Sequence, residues 1–319
     1  MAGEDWRAKM ERQTDEVVAR FVQENPDYAA DAAQPAARGQ ANCVVFGRRG
    51  ERRVVFKKFC EADRKGREVF ALRHWRRTGL VPELLDETDE LVVMSFVEGE
   101  LIEDLIGRVD IDRAGRALGT AVAGLTKVPF EDAAARFAAL PFAGDPLAGY
   151  FARILGPARE VCRRASAYGD ACFVRSLDFI AAQRDSVLAQ PPLLYNQDIR
   201  NALFVGERLS GFIDFELSWS GTEAMQLGSL GVLLRLAAGR GADAAALWRA
   251  ISQGYGEGRG KALDTEETAA CRAVALFLVW RDMTEYGGWR GGESFFSQDK
   301  NRMAGQHALD LRLLDGAIA

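Results

Sequence analysis

The chain has 319 residues, enough to bury a large core and to form two domains or lobes, and its 48% hydrophobic and 27% charged composition is ordinary for a globular protein. A formal net charge of −5, with neither end of the chain basic, argues against a nucleic-acid partner held on a charged face. Five cysteines without a Cys-x-x-Cys pair, and two histidines far apart (His74 and His307), argue against a disulfide framework, a zinc site and a Ser-His-Asp triad.

Met1 to Gln13 is charged and lacks an apolar segment, so no secretory signal is expected, and no run of about 18 apolar residues predicts a membrane span; the cytoplasm is the expected location. Residues 5–25 are predicted as an amphipathic helix with Val17, Val18, Phe21 and Val22 on one side, and residues 26–40 as a linker. Strand signals follow at Cys43–Phe46 and Arg53–Phe59, with Gly47-Arg48-Arg49-Gly50 as the turn between them. That turn could also cover a phosphate, although it lacks a Gly-x-Gly-x-x-Gly pattern. A helix is predicted over 61–78, with Val69, Leu72 and Trp75 at helical spacing, then a third strand over Leu91–Phe96. Beyond residue 100 the chain reads as mostly helical, over 111–126, 172–190, 228–256 and 265–286. Residues 191–220 interrupt it with short apolar runs at Leu193–Tyr195, Leu203–Val205 and Leu209–Phe212, and short strands within a helical region commonly present functional loops.

That interruption carries the chemistry. Asp198 and Asn201 flank a loop, and Asp214 follows Gly211-Phe212-Ile213, so two carboxylates and an amide can converge on a hard cation such as Mg²⁺. Phosphoryl transfer needs such a group, together with a carboxylate for the attacking hydroxyl, a lysine on the phosphates and a glutamate to hold that lysine. Val54-Val55-Phe56-Lys57 ends an apolar run in a lysine, and Glu68 lies on the helix that follows. Lys58, the neighbour of Lys57, could take the same role.

These residues, in this order, resemble the aminoglycoside phosphotransferase family of the protein-kinase-like superfamily, over roughly residues 40–290. Asn196-Gln197-Asp198, Asn201 and Ile213-Asp214-Phe215-Glu216 stand where the family has His-Gly-Asp, Asn and Ile-Asp-Phe/Trp. Asn196 and Gln197 replace His-Gly, the Asp198–Asn201 loop is two residues shorter than in the family, and Gln226 stands where the family often has an aspartate bracing the loop. The resemblance implies an α+β, bilobal protein-kinase-like fold. Residues 1–39 would be an N-terminal helix and linker, 40–99 a small β-rich nucleotide-binding N-lobe, and 100–319 a larger, mainly helical C-lobe with the catalytic hairpin and the acceptor-binding helices. It implies ATP and Mg²⁺ as cofactors, Asp198 as catalytic base, Asn201 and Asp214 as metal ligands, and Lys57 and Glu68 at the phosphates. Adenine would meet backbone groups of the hinge Met94–Gly99, at Ser95 and Val97.

The implied activity is transfer of the ATP γ-phosphate to a hydroxyl of a small molecule, an antibiotic such as an aminoglycoside or a metabolite, by a monomer or homodimer without nucleic-acid or membrane partners. The alternative is a weak or inactive pseudokinase serving as a binding module. Glu216, Glu223, Asp282 and Glu285 could form an acidic pocket for a cationic acceptor. Trp219, Trp280, Tyr286 and Trp289 could line it, as could the segment Arg281–Tyr286, with helix-core packing the alternative for Trp280.

Overall fold

The structure, a computed structural model, describes residues 6–31, 42–140, 147–164, 166–286 and 300–318. Its chain divides into two units, Met1–Glu98 with Ser210–Ser218, and Gly99–Leu209 with Trp219–Ala319.

The first unit contains α1 (Trp6–Glu24), β1 (Tyr28–Ala30), β2 (Asn42–Arg49), β3 (Arg52–Phe59), α2 (Ala62–Trp75), β4 (Leu84–Glu87) and β5 (Leu91–Ser95). Its strands form one antiparallel sheet in the order β1-β2-β3-β5-β4. Successive side chains of a strand point to opposite faces, so Val54 and Phe56 share one face of β3 and Lys57 takes the other. On the first face Val54, Phe56, Leu91 and Val93 pack with Val18 and Phe21 of α1 and with Tyr28, so the apolar side of α1 covers the sheet. The rings of Phe21, Tyr28 and Phe56 meet edge to face.

Two local readings are corrected here. The expected Gly47–Gly50 turn is strand instead: β2 continues to Arg49, which pairs with Arg52, and the loop shrinks to Gly50 and Glu51, with Gly50 at φ 59°. Gly47 is needed because β1 crosses it; a Cβ there would lie 2.2 Å from the Ala29 carbonyl oxygen and 2.6 Å from the Phe56 ring. The second correction is β1 itself, which lies within the expected linker; residues 32–41, the rest of that stretch, are outside the described residues.

The second unit runs through β6 (Glu100–Leu101), α3 (Ile102–Leu105), α4 (Ile111–Thr126), α5 (Glu131–Ala138), α6 (Leu147–Arg164), α7 (Ala171–Leu188), β7 (Leu193–Asn196) and β8 (Ala202–Val205). After β9 (Arg208–Phe212), which carries the chain into the first unit, come β10 (Ser218–Gly221), α8 (Glu223–Gly228), α9 (Gly231–Gly239), α10 (Ala244–Arg259), α11 (Thr265–Arg281) and α12 (Lys300–Ala317). Aspartates start four of the helices: Asp110 accepts from the backbone N–H groups of Asp112 and Arg113, Asp170 from that of Cys172, Asp243 from those of Ala245 and Ala246, and Asp264 forms a reciprocal capping box with Glu267. The helical stretch expected over 228–256 divides into α9 and α10, because Gly241 turns left-handed at φ 76° and Asp243 starts a new helix.

α11 is buried on nearly every side from Ala270 to Arg281, which is why its sequence is apolar all round. Trp280 belongs to that core: its indole N–H donates to Ser176 Oγ at 2.9 Å, and Phe277 stacks on Phe151. A turn of π-helix, Asp282–Tyr286, follows α11; the side chains of Glu285 and Tyr286, and Trp289 entirely, lie outside the described residues. Among the described residues no helix is long and apolar enough to cross a membrane.

Candidate active site

In the first unit, strand alternation puts Lys57 on the sheet face that α2 covers. Its ammonium donates to Glu68 Oε2 at 2.5 Å and to Asp214 Oδ1 at 2.6 Å, and stands 3.8 Å from Glu216 Oε2. Lys58, one residue on, points to the opposite face, so Lys57 is the lysine that meets Glu68. Burial works against a charge on Lys57, but the carboxylates of Glu68, Asp214 and Glu216 outweigh it and hold the ammonium above the ordinary lysine value. Those three carboxylates lie within 4.8 Å of one another, a spacing that could also suit a cation. With Lys57 Nζ among them and Glu68 almost fully buried, they act as the counter-charge of the lysine.

Both ends of α2 hold the segment after β9. In its first turn Arg64 donates to Glu216 Oε1 at 2.7 Å; at its last residue Trp75 packs on the buried Phe215 ring, with centroids 5.3 Å apart. Asp214 sits between these anchors with φ 66°, a left-handed conformation that a non-glycine residue adopts only where its surroundings impose it. The chain before it is pinned by the Phe212 N–H, which donates to Leu80 O at 2.7 Å. At the end of β5, Ser95 is engaged by Glu83 twice: its N–H donates to Glu83 O at 2.9 Å, and its Oγ accepts from Glu83 N–H at 2.8 Å. Val97 follows, half-buried, two residues beyond it.

In the second unit residues 198–201 form a β-turn. Asn201 N–H donates to Asp198 O at 2.9 Å, closing Asp198-Ile199-Arg200-Asn201, and the buried Ile199 anchors it. Asn196 accepts the Asp198 N–H on Oδ1 at 3.1 Å. Gln226 then grips the backbone of Asn196 from both sides, accepting from its N–H at 3.1 Å and donating to its carbonyl at 3.3 Å. Asn196 and Gln226 thus form a neutral brace for this turn, with the half-buried Asp198 and Asn201 at its ends.

The structure brings Lys57, Glu68 and Asp214 together in the first unit, places Ser95 and Val97 at and after the end of β5, and sets Asp198 and Asn201 on one turn of the second. Sequence reasoning missed Arg64, which looks like an ordinary surface arginine, and it missed Arg200 and Glu103, whose pairing depends on the turn geometry. It offered Glu216 as one of the residues that could form an acceptor pocket, whereas Glu216 is buried against Lys57 and Arg64. Glu223 and Asp282, expected in the same pocket, are held by Arg259 at 2.5 Å and by Arg235 and Arg281 at 3.2 and 2.5 Å.

An antiparallel sheet carrying a buried lysine–glutamate pair, together with a mainly helical second unit, defines the kinase-like phosphotransferases as a class. The chain belongs to the phosphotransferase enzyme family, whose sequence signature matches residues 32–263, and it is an enzyme, a small-molecule kinase. Among solved structures it is similar to the macrolide 2'-phosphotransferase MphH from Brachybacterium faecium, with 18% identity, a TM-score of 0.63, and coverage of 94% of this chain and 98% of that one. It is also similar to the ADP-bound aminoglycoside phosphotransferase APH(2'')-Ib, with 15% identity, a TM-score of 0.62 and coverage of 93% and 98%. A third is APH(2'')-IIa in its ternary complex with streptomycin and ATP, with 14% identity, a TM-score of 0.62 and coverage of 98% and 99%. At these identities the likeness is one of fold. A search of curated proteins by sequence gives no match.

Proposed function

We propose that this kinase uses ATP, with Lys57 on its phosphates, Glu68 holding Lys57, Asp198 as the base, and Asn201 and Asp214 as ligands of Mg²⁺. The observation that carries the reading is the buried Lys57–Glu68 pair at 2.5 Å, joining a sheet strand to the helix after it as phosphoryl transfer by kinases requires. A carboxylate and an amide oxygen are the donors a hard divalent cation takes, so Asn201 and Asp214 fit Mg²⁺ by chemistry. When bound, that ion would neutralise phosphate charge.

In the reaction the acceptor hydroxyl oxygen bonds to the γ-phosphorus as the bond from phosphorus to the β–γ bridging oxygen breaks. The hydroxyl proton passes to the Asp198 carboxylate, and ADP leaves. Lys57, kept protonated by its carboxylates, places a fixed positive charge on the phosphates, so catalysis is mostly positioning and charge neutralisation. With the Ser95 N–H and Oγ occupied by Glu83, adenine recognition falls to the Ser95 carbonyl and the Val97 backbone.

The acceptor is a hydroxylated small molecule, either an antibiotic or a metabolite. A cationic aminoglycoside is not specifically favoured, because Glu216, Glu223 and Asp282 already face internal cations. We place the reaction in the cytoplasm, where ATP is available.

The test is a screen for transfer of labelled γ-phosphate, from ATP and from GTP with Mg²⁺, to hydroxylated antibiotics and metabolites. Transfer to an acceptor hydroxyl is expected. Nucleotide binding without transfer or slow hydrolysis under any condition would contradict the reading and favour a pseudokinase.

A further inference from the structure

The closing of the loop into one turn has a consequence for the cation it carries. Arg200 stands between Asp198 and Asn201, the residues read as base and metal ligand. Its Nη1 donates to Glu103 Oε2 of α3 at 2.9 Å. Its Nε lies 3.6 Å from Asp198 Oδ1, beyond hydrogen-bond distance, and is buried with no hydrogen-bond partner. One end of the guanidinium is therefore tethered, while the other keeps an unmet donor beside the carboxylate to which the acceptor hydroxyl would bind.

A purely structural ion pair with Asp198 would be expected to close that gap, because a buried donor left without an acceptor is unfavourable. That Nε is itself closed to solvent, but the side chain as a whole remains 32% exposed, so a ligand can reach the guanidinium on its open side. An anionic oxygen arriving at Asp198 would meet the guanidinium on that open side. Arginine is well matched to such a group, because it is always charged and its planar fork fits the oxygens of a phosphoryl group.

We propose that Arg200 is a catalytic residue that donates to the equatorial oxygens of the phosphoryl group during transfer, with Glu103 as the positioning residue that holds its far end. In the transfer step negative charge is spread over those three oxygens, which is where a preorganised cation lowers the barrier. This assignment rests on the proposed nucleotide-dependent reaction.

The test compares affinity for ADP alone with affinity for ADP plus aluminium fluoride, a mimic of the phosphoryl group in flight, both with Mg²⁺. The proteins are the wild-type chain, Arg200→Gln and Arg200→Lys. Wild type is expected to bind ADP more tightly when fluoroaluminate is present. Arg200→Gln is expected to bind ADP alone as wild type does but to lose about tenfold or more of the fluoroaluminate gain, with Arg200→Lys keeping part of it. An equal gain in wild type and Arg200→Gln overturns the assignment, and so does a wild type that binds ADP with no gain. Loss of ADP binding itself in both variants would make Arg200 a support of the loop, which also overturns it. A wild-type chain that binds no ADP would instead refute the nucleotide reading beneath it.

Discussion

Lys57 is the residue on which the first unit's charges balance. Replacing it with methionine leaves Glu68 buried without its cation. The expected cost is about 3–5 kcal/mol in urea unfolding, with loss of phosphoryl transfer. Replacing both partners, Lys57→Met with Glu68→Leu, is expected to restore much of the stability and none of the activity, because the unpaired buried charge is gone. A stability loss in the double variant equal to that of the single variant would show that the pair is not what the burial costs. In the second unit, burial holds His307 below the ordinary histidine value. The folded protein then binds fewer protons than the unfolded chain just below about pH 6.5, so stability is fully present above that pH and falls as acid is added. His307→Gln is expected to flatten this part of the stability–pH curve measured by denaturant titration. The meeting of Lys57, Glu68 and Asp214 was legible because the lysine and Asp214 each follow an apolar run and Glu68 lies on the helix after the lysine. Arg64, Glu103 and Arg200 were not, since a lone arginine or glutamate in sequence resembles any solvated charge and acquires meaning only from a partner far along the chain.

Among the elements, α4 and α10 depend on closeness. A Cβ on Gly119 would lie 2.0 Å from the Ile251 carbonyl oxygen, and one on Gly254 2.0 Å from that of Arg116, while Thr120 Oγ donates to Gly254 O at 3.0 Å. Gly119→Ala or Gly254→Ala is expected to destabilise by about 1–3 kcal/mol or more, because the helices must move apart. Gly305→Ala, on α12 with open space around it, is expected to be neutral or stabilising by about 0.5–1 kcal/mol, since only the helix propensity changes. Thermal or urea unfolding of the three variants checks the contrast, and equal effects at 119 and 305 would contradict it. The periodicity that predicts α4 is strong, and the helix spans 111–126 as expected. It does not reveal that α4 and α10 pack through glycines, because that pairing is long-range. Elements without a pattern stayed hidden for local reasons. In β1 two of three residues are exposed alanines, in β4 Leu-Leu-Asp-Glu does not alternate, and β10 is a polar Ser-Trp-Ser-Gly.

For the molecule as a whole, a family signature over residues 32–263 and an α+β chain of two units agree with the bilobal, kinase-like expectation. The order of the strongly patterned elements was readable from hydrophobic period; the chain's return of 210–218 to the first unit was not, because it depends on the anchors Arg64, Trp75 and Leu80. A nucleotide that binds the folded chain only is expected to stabilise it by about 2.7 kcal/mol at 100 times its dissociation constant. Thermal unfolding with ATP is expected to show this shift with Mg²⁺ present and a smaller one without it. No shift in either condition would remove the nucleotide from the scheme.

The most direct measurement is the transfer rate of Asp198→Asn beside its ATP affinity. Asparagine keeps the shape of the side chain and cannot take the acceptor proton. The expected result is a fall of about 10²–10⁴-fold in kcat with ATP affinity unchanged. Turnover close to that of the wild type would contradict the assignment of Asp198 as the base.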